Sequence, residues 1–145
     1  MTHAEAARWM LAMLCGAQGF GTLAVDLNRT HATNPQWTRH ARFHLVWQAI
    51  SYALLSLLEI VLILAAGPGR EQRFYLAAAL AAVPMLSCLA ASMSRKIYGG
   101  ALSDPHGIPP RTVVVFGSRL QIDLNLAVEA VALLVLLAIL ALFSH

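Results

Sequence analysis

Glu59 and Glu129 stand where acidic residues are costly. Glu59 lies in FHLVWQAISYALLSLLEIVLILAA and Glu129 in LNLAVEAVALLVLLAILALF, both otherwise apolar enough to cross a bilayer. An ionised side chain at the centre of a spanning helix costs about 2.5–3.5 kcal/mol on insertion scales. Such a group is therefore expected to face a protein interior or a polar cavity, at least partly protonated or hydrogen-bonded to Tyr, Asn or water. A carboxyl group in that state can act as a general acid near neutral pH.

Around them runs a pattern of polar residues at helical spacing. His40, His44, Gln48, Tyr52 and Glu59 share one face of one segment, and Gln18, Thr22 and Asp26 one face of another. Gln121, Asn125 and Glu129 recur every four residues in a third segment. Three stripes deepening toward mid-membrane predict a shared internal chamber. The competing reading is interhelical adhesion, at about 0.6 kcal/mol per polar contact. That is less than a glutamate costs, so adhesion explains Gln18, Thr22 and Gln48 better than Glu59 and Glu129. On the catalytic reading Glu59, Glu129, His44 and Asp26 do the chemistry. Gln18, Gln48, Tyr52, Asn125, Gln121 and Trp47 would contact the substrate, although Trp47 and Trp37 also suit interface anchors.

A second constellation gathers at one membrane face: His31, His40, His44 and His106, with Asp26 and with Asp104 in SDPHGIPP. His40 and His44 stand four apart, the spacing at which two imidazoles on one helix share a metal ion. His31, His40, His44 and His106 are thus a candidate site for copper, iron or zinc, with carboxylates orienting the rings. Without a metal, the same histidines suit acid–base work or hydrogen bonds to loop backbone. Cys15 and Cys88 form no CxxC motif and read as packing residues, which argues against a thiol oxidoreductase.

The chain that must position these groups is all-α. Its 145 residues are 59% hydrophobic and 12% charged, with mean hydropathy +0.66. That is half the charge of a soluble domain. The net charge of +3 is scattered and forms no nucleic-acid stripe. Four apolar segments, at about 6–25, 41–66, 74–93 and 118–143, each reach the roughly 20 residues that cross a bilayer as a helix. They make one integral membrane domain over 1–145, a four-helix bundle with two long loops capping one face. Met1–Trp9 does not read as a cleavable signal, since Glu5 accompanies a lone Arg8. Thr38 reads as a helix N-cap, Gly67-Pro68-Gly69 as a tight turn, Pro84 as a kink, and Ser118-x-x-Gln121 as a capping box opening the last helix. Thr112–Phe116 reads as a short strand or a re-entrant piece. Asp123 suits a capping role near a helix start. Gly16, Gly19 and Gly21 suit close helix approach. Arg29, Arg39, Arg42, Arg95, Lys96, Arg111 and Arg119 flank the long loops, against Arg8, Arg70 and Arg73 at the other end. That asymmetry places the long loops in the cytoplasm.

The run HATNPQWTRHARFHLVWQ, followed by SDPHGIPP, resembles a signature of small bacterial four-helix membrane proteins. The resemblance covers the first two helices and the last long loop. It implies a multi-pass protein of the bacterial inner membrane and no particular activity. The architecture is also similar to that of membrane sterol isomerases and terpene cyclases, whose buried carboxyls protonate apolar substrates. Three functions stay open. One is an enzyme acting on a lipophilic small molecule by proton transfer, through isomerisation, cyclisation or epoxide opening. Another is a metal-dependent oxidoreductase or metal handler at the histidines. The last is a transporter or accessory subunit, where four helices would call for a homodimer. The wholly apolar stretch Ala130–Phe143 would plug the far side and favours a dead-end pocket.

Overall fold

The computed structural model describes residues 1–144. Helix α1 spans His3–Asp26, α2 Arg39–Leu64, α3 Arg70–Ser94 and α4 Leu124–Phe143, with strands β1 (Arg111–Val115) and β2 (Ser118–Ile122) before α4. Helices α2, α3 and α4 are each long and apolar enough to cross a membrane. Helix α1 is as long as these, at 24 residues, but is not among them. Arg8, Gln18, Thr22, three glycines and Asp26 dilute its apolar character. Four candidate spans are thus reduced to three plus a more polar helix packed against them.

The helices form a ring. α1 packs on α2 and α4, and α3 packs on the same two, while α1 and α3 barely touch across the middle. Neighbours run antiparallel: Gly19 meets Ser56, Arg8 reaches the carbonyl of Ile63, and Phe74 stacks on Phe143 at 3.7 Å. Both long connections therefore leave from one end. Where every side is apolar, helix association relies on close packing and small residues. Ala7, Ala12, Ala77, Ala78 and Ala81 accordingly sit in the buried cluster with Leu11, Ile63, Met85, Leu136 and Ile139. That cluster occupies the short-loop half of the bundle, as the apolar end of α4 led us to expect.

Caps fix the ends. Thr2 and Glu5 form a reciprocal capping box at α1, whose backbone N–H bond holds the Glu5 carboxyl below its ordinary pKa. Thr38 caps α2 by accepting from Ala41 N at 3.1 Å, as its sequence position predicts. Arg73 donates to the carbonyls of Ala65 at 2.9 Å and Gly67 at 3.3 Å. One guanidinium thereby satisfies the open end of α2 and the turn that follows.

The start of α4 differs from the sequence expectation. Ser118-x-x-Gln121 is no capping box: those residues form β2, antiparallel to β1 with Val113 opposite Leu120. Asp123 is the N-cap instead, accepting from Leu126 N at 2.9 Å. The helix begins six residues later than 118, and the strand reading of Thr112–Phe116 is the one observed. The two long loops touch. Asn34 donates to the His106 carbonyl at 2.7 Å, and Asp104 accepts from the His106 backbone N–H at 2.7 Å.

Candidate functional site

Gly19 brings α1 and α2 together. A Cβ at this position would lie 2.4 Å from Ser56 Cβ and 2.9 Å from the Tyr52 carbonyl oxygen. Only hydrogen fits, and Ser56 uses the contact to donate to the Cys15 carbonyl. This seam sets the height of Tyr52 against α1. Gln18 donates to the Ala81 carbonyl on α3 at 3.3 Å, one turn before Pro84, where α3 lacks a backbone donor. Thr22 turns back to the Gln18 carbonyl.

Above the packed cluster, the bundle gathers one ionisable side chain from each helix. Tyr52 of α2 lies within electrostatic reach of Asp26 of α1, Cys88 of α3 and Glu129 of α4. All four side chains are half-buried. Gln48 donates to the Tyr52 hydroxyl oxygen at 3.2 Å. Ser92 donates to the Cys88 carbonyl at 2.8 Å. Helices α2 and α4 stand on opposite sides of the ring without substantial contact.

Glu59 belongs to a different level. It is 1% exposed, and its Oε1 has no hydrogen-bond partner. The Cys15 thiol lies beside it. Seven residues separate Glu59 from Tyr52 on one stripe, or about 10 Å at the helical rise. The two glutamates therefore do not meet. Glu129 sits with Tyr52, and Glu59 lies about two turns deeper in the α1–α2 seam.

Other sequence candidates lie further out. Asn125 is exposed, and Gln121, being in β2, leaves the helical stripe assigned to it. Trp47 is 59% exposed and packs against Phe43 and His44 on the outer face of α2. His40 and His44 pair Nε2 to Nε2 at 3.0 Å, but both are exposed. His31 turns into its own loop, edge-on to Trp37 at 5.1 Å and bonded to the Thr30 hydroxyl at 2.7 Å. His106 serves the inter-loop contact through its backbone. The four histidines are thus distributed over three places, and among the described residues no three His, Cys, Asp or Glu side chains are placed to hold a metal ion. Cys88, read from sequence as packing, is the member of the four-helix group that sequence reasoning missed. Its position one turn after Pro84 on α3 was the available signal.

Two open clefts border the long-loop end. One, of 430 Å³, lies between Leu102, Pro110, Ile122 and the flank of α4 at Leu126 and Ala130. The other, of 350 Å³, is lined by Ala32, Arg39, Arg42, Phe43 and Val46. Neither is lined by the four-helix group. No protein-family model, curated protein or solved structure matches the chain.

Proposed function

We propose that the chain is a membrane-embedded enzyme that moves protons on a lipophilic small molecule, in a chamber at the long-loop half of the bundle. The observation that carries the reading is the group Asp26, Tyr52, Cys88 and Glu129, one side chain from each of four helices. Interhelical adhesion would leave such groups bonded to one another. Here Glu129 and Asp26 make no side-chain hydrogen bond among the described residues, and Tyr52 is bonded only by Gln48.

In this reading Glu129 protonates or deprotonates a substrate carbon, the Tyr52 hydroxyl steadies the developing charge, and Asp26 completes the polar wall. Glu59 forms the floor. The packed cluster below it closes the short-loop side, which favours a dead-end pocket over a transport path. The excess of Lys and Arg near the long loops supports a cytoplasmic mouth, and the resemblance of the histidine-rich run supports the bacterial inner membrane. The paired imidazoles of His40 and His44 favour a place at that mouth, with no step of the reaction assigned to a metal.

The test is solvent-proton exchange. The purified protein in lipid nanodiscs is incubated with membrane lipid extract of its source organism in D2O, and extractable compounds are screened by mass spectrometry for carbon-bound deuterium. A compound labelled by the wild type and not by Glu129→Gln supports the reading. Labelling equal to that of empty nanodiscs, or unchanged in Glu129→Gln, overturns it.

A further inference from the structure

The hairpin before α4 stands apart from the bundle. All ten strand residues are exposed, and Phe116 at its tip is fully so, at 103%. Its turn places Phe116 at φ 48° and Gly117 at φ 80°, the paired left-handed geometry of a tight two-residue turn. A lone two-stranded hairpin is at best marginal in water, so a covering surface is called for.

The register shows what that surface is. Val113 lies opposite Leu120 and Val115 opposite Ser118, so Val113, Val115, Leu120 and Ile122 share one face. The other face carries Thr112 opposite Gln121 and Val114 opposite Arg119, three polar side chains and one valine. The hairpin joins α4 through Asp123 alone, so its root stands where an apolar span emerges from the bilayer. Ile97 and Tyr98, 88% and 63% exposed, lie in the turn just past the end of α3. Arg111 stands at the root of the apolar face, opposite Ile122, and Arg119 stands on the other face, opposite Val114. The unpaired backbone on both outer edges of the sheet excludes immersion in hydrocarbon. It does not exclude the headgroup layer.

We propose that this hairpin lies on the bilayer as an interfacial paddle, its Val113–Leu120 face and Phe116 set into the acyl boundary and its arginines on anionic lipid headgroups. The proposal rests on the membrane-embedded reading of the chain and is independent of any catalytic activity. The cleft of 430 Å³ between the root of the hairpin and the flank of α4 then faces lipid and is filled from the bilayer by acyl chain.

Site-directed spin labelling tests it. The whole chain, with Cys15 and Cys88 replaced by alanine, carries a label at Thr112→Cys, Val113→Cys, Phe116→Cys or Leu134→Cys. It is placed in vesicles of phosphatidylcholine with phosphatidylglycerol, and collision with oxygen is compared with collision with a water-soluble nickel chelate. Positions 113 and 116 should favour oxygen and position 112 nickel. Phosphatidylcholine alone, or Arg111→Gln with Arg119→Gln, should shift 113 and 116 toward nickel. Nickel access at 112, 113 and 116 alike overturns the paddle. Spin–spin broadening at 113 or 116 overturns it in favour of a second copy of this chain. Indifference to lipid charge and to the arginine changes overturns the headgroup contact. Position 134, exposed on mid-α4, reads the span itself, and nickel access there removes the membrane reading and the paddle together.

Discussion

Gly19→Ala is the smallest change that strikes the framework of the site. The added Cβ would stand 2.4 Å from Ser56 Cβ, so α2 must retreat by about 1 Å or more before the contact becomes ordinary. Overpacking of this kind costs about 1–3 kcal/mol. The Ser56 bond to the Cys15 carbonyl is stretched at the same time, worth about 1 kcal/mol more. Gly21→Ala is the matched control. Nothing lies within 4 Å of a Cβ there, and removing a helical glycine gains up to about 1 kcal/mol. Unfolding in mixed dodecylmaltoside–SDS micelles, followed by circular dichroism, should show Gly19→Ala less stable and Gly21→Ala equal or more stable. Because Tyr52 sits on the same seam, its displacement should also lower solvent-proton exchange by roughly 100-fold, the penalty of a 1 Å misplacement. Equal stability for the two alanine variants would refute the close approach of α1 and α2.

Three further outcomes follow from other contacts. Glu59→Met removes a buried oxygen that has no partner and should raise stability by about 1–3 kcal/mol in the same assay; a loss of that size would mean the carboxyl is satisfied. Arg73→Gln uncovers the carbonyls that end α2 and should cost about 1–2 kcal/mol, with faster amide exchange in residues 62–69 by mass spectrometry; unchanged exchange would show the cap to be idle. Asn34→Ala breaks the bonds to the His106 and Thr30 carbonyls, of 2.7 and 3.1 Å, and should free residues 101–110 for proteolysis while leaving the helices protected; equal cleavage of both proteins would mean that the loops are held by something else.

Much of the framework was legible because membranes impose simple rules. Apolar length gave α2, α3 and α4, Thr38 announced its cap, and Gly67-Pro68-Gly69 marked the short turn. The hairpin was harder. Thr-Val-Val-Val-Phe announced one strand, but Phe-Gly is a poor signature for a turn that needs two left-handed residues. Ser118-x-x-Gln121 imitated a helix start and concealed the second strand. That error carried Gln121 onto a helical stripe it does not join. The candidate residues were legible by face and not by depth. Periodicity placed Tyr52 and Glu59 on one side of α2. The packing of α2 against α1 sets Glu59 beside Cys15, about two turns from Tyr52. The histidines read as one constellation in sequence, and loop packing separates them: Trp37 and Thr30 hold His31, while His40 pairs with His44.

The level shared by the four helices is the claim on which the chemistry depends, and thiol cross-linking reads it directly. Native Cys88 should be bridged in membranes by a short bifunctional thiol reagent to a cysteine at Tyr52→Cys and to one at Glu129→Cys. In a Cys88→Ala chain, cysteines at Glu59→Cys and Glu129→Cys should remain unbridged. If Cys88 couples to neither position, or if positions 59 and 129 couple as readily as 52 and 88, the four-helix chamber does not exist as described.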